Sequence, residues 1–263
     1  MTENPLIKLV PSSIDNAAKN ITDSPTKAMG ETLTDIWSIV FGGIHQVADK
    51  RKMKYAYELE QFKQELCSQI NEIPPEKLID PKLQVVAPAL ENAKYCMEEN
   101  ELKQLFKNLI VASMNIDYEN IIHPSFGEII KQMSPIDAEN LKVIRRNRQL
   151  PICDYRVVFT TGGFANICTT VFLSNSNIGD IEIQANSLHS LCRLGLLNIS
   201  TDKHINNDEV YTQFSQTPIY QELITEIKIF NDDKKDNKKI EIHKGLVELT
   251  PFGNNFVKVC LDE

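Results

Sequence analysis

The stretch HPSFGEIIKQMSPIDAENL, residues 123–141, brings one histidine, two serines and several acidic residues together along the chain. A serine whose hydroxyl is activated by a histidine could act as a nucleophile. That chemistry would require His123 within about 3 Å of a serine hydroxyl, and a third group that orients the imidazole. The spacing of these residues does not by itself demand such an arrangement.

The same serines also have the spacing that is typical of helix ends. Ser125 is followed three residues later by Glu128, the pattern of a capping box, in which the hydroxyl accepts a hydrogen bond from the Glu128 backbone N–H. Ser134 precedes Pro135, a residue suited to the first position of a helix. We therefore predict structural roles for both serines and for the histidine that precedes them.

The other residue types that often carry chemistry are dispersed. The 6 cysteines form no Cys-x-x-Cys pair and the 5 histidines form no His-Glu-x-x-His motif, so the sequence predicts reduced thiols and no metal site. Its glycines form no phosphate-binding loop. We therefore expect no cofactor and no enzymatic activity.

Charge limits the classes of partner. The chain has 263 residues and a formal net charge of -8, which argues against a surface built as a whole to bind nucleic acid. A local basic patch remains compatible with this charge. No signal peptide precedes the scattered cysteines, so a cytoplasmic location is expected.

The first half of the sequence has the three- and four-residue apolar spacing of helices. One such stripe is too short to span a bilayer, and the basic run KRKMK follows it. It could lie on a membrane surface or pack inside a helical bundle, and we favour packing because soluble amphipathic helices are far commoner. The stripe consists of Leu33, Ile36, Trp37, Val40, Phe41 and Ile44.

A second apolar seam follows, and proline-rich segments separate it from two further helical patterns. The seam could close on the same chain or on a second copy, so a homo-oligomer is possible. We predict an N-terminal segment over residues 1–27 and a helical bundle over 28–133. The seam contains Tyr55, Leu59, Phe62, Leu66, Ile70 and Ile73.

The second half changes period. DYRVVFTTGGFANICTTVFLSN favours a hairpin, and IGDIEIQANSLHSLCRLGLLNIS predicts a helix that stops at Gly195 before a strand. Further strands and a closing helix follow, with a helix over TPIYQELITEIKIF between them. This order predicts a winged-helix-like α+β domain over residues 134–263. The role of the charged loop of residues 231–239 is left open.

Winged helices often bind DNA, and the candidate recognition helix offers polar side chains at Gln184, Asn186, His189 and Arg193. The densest basic run lies upstream and contains Lys142, Arg145, Arg146 and Arg148. One arginine is few for a DNA-reading helix, and basic residues also favour a helix C-terminus. We therefore favour contact with a protein partner over contact with DNA.

The segments LKQLFKNLIVASMN, HPSFGEIIKQMSPIDAENLKVI and GLVELTPFGNNFVKVC resemble the abortive-infection alpha family of bacterial and phage-encoded proteins. The resemblance covers most of residues 50–260 and implies a role in defence against phage. It supplies no catalytic motif. The expected fold is mainly α with a smaller α+β part, and the expected function is phage defence by binding or scaffolding. A winged-helix DNA-binding regulator is the alternative.

Overall fold

The computed structural model describes residues 27–41, 50–234 and 237–261. The chain forms two compact units. Of the described residues, those up to Pro135 and those from Asn255 onward form unit 1, and those within Ile136–Asn254 form unit 2. The C-terminal residues are therefore separated in sequence from the rest of the unit to which they belong.

Unit 1 is helical, as the apolar spacing of the first half predicts. Proline-containing segments follow the second helix and precede the third, because proline removes a backbone donor and restricts the residue before it. The helices are α1 Lys27–Phe41, α2 Lys50–Asn71, α3 Leu83–Ala93, α4 Asn100–Ala112 and α5 Phe126–Lys131, with most of α9 Pro251–Cys260 added from the C-terminus.

The core of unit 1 joins these helices through large apolar side chains. Phe62, Phe106 and Phe126 are fully buried. The ring of Phe126 packs edge-on against that of Phe256, with 5.1 Å between their centroids. The Nδ2 of Asn108 in α4 donates a 2.9 Å hydrogen bond to the Cys260 carbonyl. The C-terminal helix therefore contributes both apolar and polar contacts to this core.

Unit 2 combines helices with one antiparallel sheet, so the predicted mixed α+β composition is confirmed. The strand order is β2-β1-β4-β3. The hairpin, the Gly195 stop at φ 76 and the helix beginning at Pro218 all lie where the sequence predicts them. The elements are α6 Pro135–Ile144, β1 Leu150–Val158, β2 Phe164–Phe172, α7 Ile181–Arg193, β3 Leu197–Ser200, α8 Pro218–Lys234 and β4 Lys239–Leu249, with a 3-10 helix at Asp208–Gln216.

The β1–β2 hairpin is irregular. Its register shifts twice, between the pairs formed by Cys153 and Tyr155 and again between those formed by Tyr155 and Arg156. At the first shift, Thr169 and Thr170 of β2 both lie opposite one residue of β1. Thr170 has a φ of 56°, which is rare for a β-branched residue. Bulges of this kind bend an edge strand and redirect a side chain.

Unit 2 encloses a polar contact between its first two helices. Asn140 in α6 donates from Nδ2 to the Ser187 hydroxyl of α7 over 3.0 Å, and it is fully buried. The Nδ2 of Asn175 donates in turn to Asn140 Oδ1 over 2.8 Å. Buried amides paired in this way fix the angle at which α6 and α7 meet.

No helix among the described residues is long and apolar enough to cross a membrane.

Candidate functional site

Ser125 and His123 form a local turn, and Ser125 forms no capping box. The Ser125 hydroxyl lies 2.7 Å from His123 Nδ1, and the Ser125 backbone N–H donates to the same nitrogen over 3.2 Å. Nδ1 therefore accepts from both groups of Ser125. The predicted capping box is wrong because Ser125 makes no side-chain cap bond, and the Glu128 carboxylate accepts from Asn92 Nδ2 instead.

The apolar stripe of α1 packs within unit 1. Leu33, Ile36 and Phe41 are buried, and Trp37 and Val40 are half-buried. The Trp37 ring lies 4.3 Å from that of Phe41 and 6.2 Å from that of Phe62 in α2. These contacts support the packing interpretation of the stripe over the membrane interpretation. Ile44, the last residue of the predicted stripe, lies outside the described residues.

The candidate recognition helix, α7, presents only part of the predicted polar set. Asn186, His189 and Arg193 are exposed and lie three and four residues apart, so they form one row along the helix. Gln184 is 2% exposed, and its Nε2 donates to the carbonyls of Asn175 and Ile178. The prediction of Gln184 as a surface contact is wrong, because its amide holds the segment that precedes α7.

The bulge in β2 contacts the exposed row of α7 at His189. The Thr170 hydroxyl lies 3.1 Å from His189 Nε2, and the Thr170 backbone N–H donates to the buried Asp154 carboxylate over 2.9 Å. The Nη2 atom of Arg156 lies 3.6 Å from Oδ2 of Asp154. The Thr170 hydroxyl therefore contacts His189 while its backbone is held by Asp154, an arrangement that no spacing in the sequence indicates.

The basic run lies at the end of α6 and in the turn after it. Lys142 and Arg145 are half-buried, whereas Arg146 and Arg148 are exposed. The helix ends at Ile144, so the arginines follow its C-terminus, where positive charge is favourable. Two exposed arginines and the α7 row are the predicted groups of unit 2 that could contact a phosphate backbone.

Unit 2 also contains a cleft that the sequence does not predict. It has a volume of about 380 Å³ and lies between α8 and the hairpin end of the sheet. This volume falls within the range of small-ligand sites, and the walls are mainly apolar, as such sites usually are. The lining residues are Val157, Phe159, Ala165, Ile167, Leu223, Glu226, Ile227, Phe230, Lys238 and Ile240.

Large apolar side chains are exposed on the elements that form this cleft. The exposed fractions are 55% for Phe164, 44% for Ile167, 60% for Ile229 and 37% for Phe230. We call these four residues the apolar patch. Residues 157–179, which contain half of the patch, carry no charged side chain in a chain that is 24% charged. That uncharged run is the one feature of the sequence that could have drawn attention to this surface.

Burial suppresses the reactivity of several cysteines. Desolvation raises the pKa of the Cys192 thiol to about 11, and it raises the pKa of Cys260 well above the ordinary value. The pKa of Cys153 is also raised, first by burial and then by the neighbouring Asp154 carboxylate. Because the thiolate is the nucleophilic form, these three groups remain unreactive thiols near neutral pH.

The sequence profile named "Abortive infection alpha" matches residues 54–260. This chain belongs to the abortive infection alpha family. The match extends through both units and includes the cleft, the bulge and the α7 row. Neither the curated proteins nor the solved structures give a match to the chain. The family suggests a role in abortive infection, and the geometry described above is the basis for a more specific proposal.

Proposed function

We propose that this abortive infection alpha protein defends the cell by binding a phage or host protein at the apolar patch, without a catalytic step of its own. The family supports the defence role. The binding mode rests on one observation, the exposure of Phe164, Ile167, Ile229 and Phe230, of which Ile167 and Phe230 line the apolar cleft. Large apolar side chains exposed in number on neighbouring elements are costly in water and commonly mark a protein contact.

The composition of the patch suits a protein interface. Aromatic residues are enriched at interface centres and charged residues are depleted there. The Arg156 guanidinium lies 4.1 Å from the centroid of the Phe164 ring, a cation–π arrangement that holds this exposed ring in place. A ring that is already ordered loses less entropy when a partner covers it. Phe164 is therefore the residue of the patch best prepared to act as an anchor.

This function predicts a lower phage yield from cells that carry the protein. Cells with and without the gene would be infected with a broad panel of phages, and the released phage would be counted together with surviving cells. We expect a reduced yield for a subset of the panel, with loss of the infected cells. Equal yields across the whole panel would contradict the proposed function.

A second candidate is a winged-helix DNA-binding regulator. The α7 helix is followed by β3, which pairs antiparallel with β4 as the two wing strands of a winged helix do, but a 3-10 helix and α8 lie between these strands along the chain. The exposed row of Asn186, His189 and Arg193 supports this candidate, together with Arg146 and Arg148. The burial of Gln184 and the acidic net charge disfavour it. We therefore rank DNA binding second.

The DNA-binding candidate predicts a gel shift that depends steeply on salt. Each neutralised phosphate releases counterions, so affinity falls as salt concentration rises. Replacing Arg146 and Arg148 by glutamine would weaken that binding at every DNA sequence, because phosphate contacts carry no sequence information. The paired control replaces the exposed Lys131 and Lys228, which lie outside the candidate surface. Absence of any shift at low salt would exclude this function.

A further inference from the structure

The cleft beneath α8 already contains a cation that comes from the chain itself. The Lys238 ammonium lies 3.9 Å from the centroid of the Phe230 ring and 5.5 Å from that of the Phe159 ring. Both rings line the cleft. The face of a phenyl ring carries partial negative charge, so two rings around one ammonium form a site that attracts cations.

The backbone of Lys238 is held at a fixed point beside the cleft. Asn231 donates from Nδ2 to the Lys238 carbonyl over 2.8 Å and accepts from the Lys238 N–H over 3.1 Å. This double contact joins the end of α8 to the start of β4. Asn231 therefore has a structural task at this point, which is to hold the backbone of Lys238 beside the two rings.

The rest of the cleft suits an ammonium on a methylene chain. Leu223, Ile227 and Ile167 supply apolar walls, and Glu226 supplies a carboxylate at the lining. The chain as a whole has a net charge of -8, which favours the approach of a cation over that of an anion. A carboxylate ligand would gain the attraction of the Lys238 ammonium, but it would face both Glu226 and the negative faces of the rings.

We propose that the cleft binds the side chain of a lysine on the partner protein, and that its ammonium takes the place that Lys238 occupies between Phe159 and Phe230. This inference rests on the proposed function, because it names the group that the partner inserts at the apolar patch. Lys238 is then an internal competitor. Its side chain moves into solvent when the partner binds, while Asn231 keeps its backbone in place.

The test uses three small probes of equal chain length on the full-length protein: hexylammonium, hexanol and hexanoate. Binding is followed by the NMR shifts of the Leu223 and Ile227 methyl groups. We expect hexylammonium to bind best, hexanol to bind more weakly and hexanoate to bind least. Hexanoate binding as well as hexylammonium, or hexylammonium leaving the two residues unshifted, would overturn the inference.

Substitutions distinguish the effect of the competing Lys238 side chain from the effect of the residues that form the binding site. Lys238→Gln is expected to raise the affinity for hexylammonium about two- to fivefold, the range that one cation–π contact at a partly exposed site supplies. Glu226→Gln is expected to lower that affinity. Lys239→Gln is the matched control, because it removes an exposed lysine one position along the chain. An equal effect of the two lysine substitutions would contradict the role of Lys238.

The probe experiment and the infection experiment can fail separately. If hexylammonium binds as expected but the protein does not change phage yield, the ligand chemistry of the cleft stands and the defence function fails. If phage yield depends on the protein but hexylammonium does not bind in the cleft, the lysine inference fails while the proposed function stands.

Discussion

Replacing Phe126 with alanine is expected to lower the free energy of unfolding of unit 1 by about 3 to 5 kcal/mol, the usual cost of removing a buried phenyl ring. Phe126 is 0% exposed, and its ring packs against Phe256 from the C-terminal helix. Alanine would leave a cavity between two segments that are distant in sequence. The loss should therefore weaken the attachment of α9 to the helices of unit 1.

The chain offers a local reporter for this experiment. Trp37 is its one tryptophan, and it lies in unit 1 beside Phe62. Urea unfolding followed by tryptophan fluorescence therefore reports on this unit. The control is Tyr95→Ala, since Tyr95 is 73% exposed and its loss should change stability by less than about 0.5 kcal/mol. A similar midpoint for both variants would show that Phe126 is not a core residue.

The second large effect is expected in unit 2 for Gly253→Ala, which should cost about 3 kcal/mol, the upper end of the range for overpacked sites. A Cβ on Gly253 would fall inside contact distance of the Leu196 carbonyl oxygen and 2.9 Å from the carbonyl carbon. These are backbone atoms and cannot rotate away. The same oxygen accepts the Thr250 N–H over 3.0 Å, so a shift would also break that hydrogen bond.

Hydrogen exchange measures this effect at the place where it arises. The amides of β3 should exchange faster in Gly253→Ala, because the residue before this strand has to move. Gly179→Ala makes the same chemical change at a position with nothing within 4 Å, and its exchange should match that of the wild type. Unchanged protection of β3 in Gly253→Ala would show that α9 does not begin in close contact with Leu196.

The regular elements were predictable because they depend on local periodicity. The seam from Phe62 to Ile70 gives a buried helix face, and Gly195 and Pro218 mark helix ends through their own backbone preferences. Apolar periodicity and the backbone preferences of glycine and proline depend on only a few neighbouring residues, so they can be recognised in a single sequence. The family resemblance, carried by longer segments, was likewise confirmed over residues 54–260.

The features that could not be predicted depend on residues that are distant in sequence. Ser125 has the spacing of a capping box. The Glu128 carboxylate instead accepts a hydrogen bond from Asn92 of another helix, and the Ser125 hydroxyl hydrogen-bonds to His123. The contact between Thr170 and His189 requires a bulge whose position depends on the pairing of β1 with β2. The cleft requires α8 to lie across the hairpin. None of these contacts follows from spacing along one segment.

The role of the apolar patch as the binding surface is tested by the phage yield of two matched variants, in cells infected with a phage that the wild-type protein restricts. Ile167→Lys places a charge in the apolar patch, and Ile116→Lys makes the same change in unit 1 at a site of similar exposure, 47% against 44%. Both substitutions should leave the folded protein intact because both side chains lie at the surface, where a lysine ammonium can reach water. We expect Ile167→Lys to restore phage yield to the level of cells without the protein, while Ile116→Lys still restricts the phage. Equal restriction by both variants would contradict the claim that the apolar patch is the binding surface.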